Sequence, residues 1–166
     1  MTTPRILVAG IGNIFLGDDA FGSEVARKLQ QRDLPEEVRV VDFGIRGFDL
    51  AYALLENYEV TILVDATPRG ELAGTLYTIE PDLTELDELT PESQVLDTHA
   101  MNPMKVLAMV KSMGGNFRKV LLVGCEPAPL DSEDGQMGLS EPVALAVEEA
   151  VRTVESLVTK ILAGAK

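Results

Sequence analysis

The chain has 166 residues, 46% of them hydrophobic, and its 27 acidic and 14 basic side chains leave a formal net charge of −13. That length suits one α/β domain spanning residues 1–166, and the acidic balance, with no basic stripe, excludes a nucleic-acid backbone as partner. No apolar run approaches the roughly 20 residues of a membrane span and the first is too short for a secretory signal, while the single Cys125 permits no internal disulfide, so no membrane association and a cytoplasmic location are expected.

The apolar run Ile6 to Ala9 predicts a buried first strand over Arg5 to Ala9. It feeds into Gly10-Ile-Gly-Asn-Ile-Phe-Leu-Gly-Asp-Asp-Ala-Phe-Gly22, after which Ala20, Val25, Ala26 and Leu29 recur at helical spacing. A strand that ends in glycines and reopens as a helix is the usual site-bearing turn of an open α/β sheet. A dinucleotide fingerprint does not fit, because the third glycine of its pattern falls at Phe15 and the paired Asp18 and Asp19 would repel phosphate. Asp18 is expected to cap the helix and complement its dipole. Asp19 is left over for a cation or for acid-base work.

Val38 to Asp42 predicts a second strand, followed by the Phe43–Gly47 loop and a helix whose apolar face is Leu50, Ala53, Leu54 and Tyr58. Val60 to Ala66 predicts a third strand that carries Asp65 near its end. Three strands alternating with two helices imply a largely parallel sheet with right-handed crossovers. Thr67-Pro-Arg-Gly70 and Gly74 leave no room for another helix, so Leu76 to Ile79 should run antiparallel. Glu80 to Asp97 reads as an acidic surface loop or irregular helix, and Asn102-Pro103 as the capped start of a helix. Lys119 to Cys125 is a fifth strand, and Asp131 to Gly135 a polar turn that lacks the alternating acids of a calcium loop. Ser140 should cap a last helix whose core stripe is Val143, Val147, Val151, Val154, Val158 and Ile161.

Sites in such sheets form beyond the carboxyl ends of the strands, where strand order reverses. The first and third strands are commonly neighbours there, so Asp19 and Asp65 could face one crevice. The only histidine, His99, lies just ahead of a helix and could reach the same edge. Two carboxylates and one imidazole would make an open three-ligand site for a divalent metal whose identity spacing does not fix. Duller roles compete: Asp65 could end its strand on backbone N–H groups, and His99 could be a surface residue. Cys125 is better read as a small buried residue than as a nucleophile activated by His99. The chain has no His-Glu-x-x-His, Gly-x-Ser-x-Gly or phosphate-loop motif.

The pattern Gly10-x-Gly12-Asn13-x-x-x-x-Asp-Asp19-x-x-Gly22, joined to Asp42-x-Gly44-x-x-Gly47, Val64-Asp65-Ala66 and His99 before a helix, resembles the hydrogenase maturation endopeptidases. The likeness runs from Ile6 to the closing helix. It implies a three-layer α/β/α fold with a five-stranded, mostly parallel sheet and one antiparallel strand. It also implies that Asp19, Asp65 and His99 bind nickel and cut the peptide. The nickel would arrive in the substrate, a nickel–iron hydrogenase large-subunit precursor, which would lose a C-terminal extension. Gly10, Gly12, Asn13, Asp42, Gly44, Arg46 and Gly47 would shape walls that meet this protein partner, with Arg46 as a docking charge or a solvated loop cation. Phe43-Gly44-Ile45 departs from the Gly-Gly-Thr that many members carry, a difference bearing on which hydrogenase is served. The alternative is a non-enzymatic nickel- or nucleotide-binding module on the same scaffold.

Overall fold

The computed structural model describes residues 5–83, 102–129 and 138–164. Its elements run β1 (Ile6–Ile11), a 3₁₀ turn (Gly17–Ala20), α1 (Phe21–Gln30), β2 (Val38–Gly44), α2 (Gly47–Leu54), β3 (Val60–Ala66), β4 (Leu76–Ile79), α3 (Pro103–Ser112), β5 (Val120–Cys125) and α4 (Glu141–Leu162). The strands form one sheet in the order β2-β1-β3-β5-β4, parallel except for the β4–β5 pair. This is the mostly parallel five-stranded sheet with one antiparallel strand that the sequence predicts. The antiparallel strand follows β3 in the chain but sits beyond β5, so β5 inserts between them.

Both faces of the sheet are covered, which is why β1 is apolar at successive positions rather than alternate ones. Ile6 and Val8 pack with Phe21, Val25 and Leu29 of α1 and the valine stripe of α4. Leu7, Ala9 and Ile11 pack on the opposite face with α2 and α3, through Leu50, Leu54, Val106 and Leu107. Asn102 caps α3 as predicted, its side chain accepting from Met104 N at 2.9 Å, with Pro103 at the first helical position.

β1 is longer than the sequence reading, since Gly10 and Ile11 stay in the ladder. The register slips between them, pairing Gly10 with Asp42 and Ile11 with Gly44, and Gly44 absorbs the slip at a φ of 59° that favours glycine. The loop expectation for Glu80–Asp97 falls mostly, and the Asp131–Gly135 turn wholly, outside the described residues.

Candidate active site

The glycines of the opening motif let the first helix lie directly on the sheet. A Cβ at Gly10 would stand 2.5 Å from Ala26 Cβ and from Gly22 O, and one at Gly12 would stand 1.9 Å from Asp19 O. Close approach at Gly12 is what allows the 3₁₀ turn to fold back over the end of β1 and present Asp18 and Asp19. Consecutive residues in so tight a turn point different ways, and here the two aspartates part.

Asp18 turns inward and is buried at 6% exposure. It does not cap the helix, as the sequence reading expected; no side-chain cap bond forms at either start. Its carboxylate instead accepts from Ala128 N at 2.8 Å, Ser140 N at 2.7 Å and Ser140 Oγ at 2.8 Å. Ser140 likewise gives its hydroxyl to Asp18 and makes no cap bond in α4. Asp18 therefore ties the β5 exit and the start of α4 to the first loop. Asp18→Ala leaves two partly buried N–H donors and a hydroxyl without their shared partner, so urea unfolding should read a loss of about 2 kcal/mol.

Asp19 turns outward, half-buried, with its Oδ2 accepting from Asn13 N at 2.8 Å. Asp65, at the penultimate position of β3, lines the same cavity of about 490 Å³, together with Ala66, Thr67, Pro68, Asn102 and Lys105. Burial first, and the Asp19 charge second, push the Asp65 carboxyl well above the usual carboxylate range, opposed by the Ala66 N–H. Two carboxylates facing one partly dry space favour a shared proton or a shared cation. The convergence of Asp19 and Asp65 follows from β1 and β3 being neighbours.

His99 lies outside the described residues, and among those described no group of three His, Cys, Asp or Glu could hold a metal. The chain returns to the described region at Asn102 and Pro103, both of which line the cavity. Lys105 was not anticipated from the sequence. It is half-buried in the first turn of α3, where the helix dipole disfavours a cation, and no ion-pair partner for it occurs among the described residues. A lysine in the first turn of a helix carries no sequence signal of its own; only its presence on this cavity marks it.

Gly10, Gly12, Asn13, Asp42, Gly44, Arg46 and Gly47 line neither this cavity nor the adjoining one. They build the loops beside it. Asp42 Oδ1 accepts from Ser23 Oγ at 2.7 Å and Gly44 N at 3.0 Å, while Arg27 Nε lies 3.3 Å from Oδ2. Arg46 spans Asp42 O at 2.7 Å, Phe43 O at 3.2 Å and Asp49 Oδ2 at 3.1 Å, which braces the loop from its exposed side. Gly47 is buried at the start of α2.

Cys125 is fully buried at the end of β5, and its thiol is pushed up to about 12 by burial and then by the charges of Asp18 and Glu126. It cannot supply a thiolate near neutrality.

Residues 23–157 match the model of a family described as hydrogenase maturation protease. A relative from Methanocaldococcus jannaschii is 34% identical over 158 residues, covering 93% of this chain and 96% of its own. The hydrogenase maturating endopeptidase HybD of Escherichia coli superposes with a TM-score of 0.72 at 29% identity, over 94% of this chain and 93% of that one. A hydrogenase 2 maturation peptidase of Thaumarchaeota archaeon SCGC_AB-539-E09 superposes at 0.67 and 31% identity, over 98% of this chain and 99% of that one.

Proposed function

Because this chain belongs to the hydrogenase maturation protease family, we propose that it is an endopeptidase that removes the C-terminal extension of a nickel-loaded nickel–iron hydrogenase large-subunit precursor. Nickel carried by the substrate is held by Asp19, Asp65 and His99. The observation that carries this reading is the meeting of Asp19 and Asp65 on one cavity, with Asp65 reluctant to ionise while both acids face each other alone. A divalent cation removes that reluctance, since it favours the charged form of both. The third ligand, His99, rests on the likeness of its sequence position to the family pattern, three residues before Asn102 in the chain.

Metal ligation needs both carboxylates in their charged form, so nickel docking acts against the burial that raises Asp65. Held by Asp19, Asp65 and His99, the substrate's nickel would orient the cleavage segment and supply Lewis-acid polarisation of the scissile carbonyl, while a carboxylate takes a proton from the attacking water. The water oxygen bonds to the carbonyl carbon, the C–N bond breaks, and the proton passes from the carboxylate to the leaving amine. Lys105, across the same cavity, is placed to offset the negative charge that gathers on the carbonyl oxygen.

The test is to incubate the protein with nickel-loaded and nickel-free precursor and to weigh the products. Loaded precursor should lose a C-terminal peptide and nickel-free precursor should keep its mass. Unchanged mass in both would sink the proposal. A binding module would instead take up free nickel or adenine nucleotide tightly in calorimetry and leave the precursor whole. Because the thiol lies buried and protonated, iodoacetamide at neutral pH should leave the processing rate within about twofold of the untreated enzyme.

A further inference from the structure

A second cavity, of about 690 Å³, opens on the other side of Asp19. The two cavities share Asp19, Ala66 and Pro68, so Asp19 stands at their junction. Leu16, Ala73, Pro127 and Pro129 give the second one a largely apolar lining, and three prolines on its wall offer no N–H donor. Its charged lining residues are Asp19, Glu71 and Glu126, with no cation among them, whereas the first cavity carries Lys105.

This wall is built rather than left over. Glu126 is buried at 5% exposure, and its Oε1 accepts from Tyr77 Oη at 2.7 Å, Arg69 N at 2.8 Å and Glu71 N at 3.2 Å. Its own backbone continues the grip, with Gly74 N donating to Glu126 O at 2.8 Å and Glu126 N to Thr75 O at 2.8 Å. One buried carboxylate thus fixes the segment from Pro68 to Gly74 that separates the two spaces. Asp18 holds the facing Ala128 in the same way. A surface whose shape is fixed before binding loses little entropy when a peptide settles on it.

We propose that this second cavity is the subsite that seats apolar side chains of the precursor segment flanking the scissile bond, and that it discriminates against acidic ones. The proposal rests on the endopeptidase reading. A peptide held with its scissile carbonyl beside Asp19 and Asp65 has chain on both sides of that point, and the two cavities meet at Asp19, Ala66 and Pro68 with otherwise different linings. Of the two, the second combines a largely apolar lining with acidic residues and no basic one among those that line it, whereas Lys105 lines the first. An apolar side chain gains burial there, while a carboxylate meets Glu71 and Glu126 with no basic residue among those that line the cavity.

The experiment measures cleavage of nickel-loaded precursor by wild type, Ala73→Trp and Glu71→Lys. Two further precursors carry an apolar residue flanking the cut replaced by Glu, one on each side of the bond. Ala73→Trp fills the subsite and should raise KM at least tenfold with kcat within about threefold of wild type. Wild type should cleave one of the Glu-bearing precursors at least tenfold less efficiently, and Glu71→Lys should recover fivefold or more of that loss. Glu71 is exposed, so its replacement leaves the fold intact should Ala73→Trp not express. If wild type cleaves and Glu71→Lys recovers nothing on either Glu precursor, or folded Ala73→Trp keeps its KM within twofold, the subsite assignment is wrong. If wild type cleaves no precursor at all, it is the endopeptidase reading that fails.

Discussion

Replacing Asp65 by Asn should lower kcat/KM on nickel-loaded precursor by roughly 1,000-fold or more, and at the same time make the protein harder to unfold at neutral pH. On the proposed mechanism, loss of activity follows from removing one of the two carboxylates that would meet the substrate's nickel and the attacking water. The gain in stability follows from the sign of the pKa shift. In the folded chain the Asp65 carboxyl is raised well above its ordinary value, by burial and then by the Asp19 charge. The unfolded chain has a value of about 3.9, so between the two values the folded state binds more protons. Stability from this group is present below about pH 3.9 and is lost as pH rises through the folded value. Asparagine keeps the shape of the protonated acid without that loss. Wild type and Asp65→Asn should therefore melt together near pH 3 and separate toward pH 7, by about 2–4 °C for each kcal/mol recovered. Melting curves across pH read this directly. An Asp65→Asn protein that melts below wild type at pH 7, or that still processes precursor at the wild-type rate, would contradict the site described above.

The largest expected effect on folding belongs to Gly22→Ala. A Cβ at Gly22 would lie 2.0 Å from Val64 O, 2.2 Å from Ile11 O and 2.7 Å from Ile11 N. All three are main-chain atoms of the two central strands, so none can rotate aside as a flexible side chain would. Alanine therefore has to push the first helix off the sheet where Phe21, Val25 and Leu29 are seated. A cost above about 4 kcal/mol is expected, at the upper end of single substitutions. Soluble yield and thermal melting would check it; a Tm within a few degrees of wild type would show that the helix can ride higher than described.

Much of this was legible in the sequence because the physics is local. The third and fourth strands begin and end where their apolar runs do, at Val60–Ala66 and Leu76–Ile79. The meeting of Asp19 and Asp65 could be anticipated because a parallel sheet with short loops puts strand ends at one edge. What could not be read depends on partners far away in the chain. Asp18 and Ser140 look like two separate helix caps. Folding brings them together across 122 residues, and neither side chain makes a cap bond. Gly10 and Gly12 look like a ligand-binding loop, yet their spacing serves the seat of the first helix on the sheet. The second cavity is assembled from Leu16, the Pro68–Gly74 segment and Pro127–Pro129, three stretches with no shared motif.

The first and third strands lie side by side in the middle of the sheet, each with a hydrogen-bonded neighbour on its other flank and helices over both faces. Their amide hydrogens should exchange with deuterium only when the whole chain opens, whereas those of the outer β4 edge should exchange through smaller fluctuations. Since Asp65 belongs to β3 and Asp19 to the turn folded against Gly12 just beyond β1, breathing motions at the β4 edge can reshape the approach of a substrate without separating the acids. Any control of this protein by a binding partner would then act on access, and the spacing of Asp19 and Asp65 would be the last thing to change.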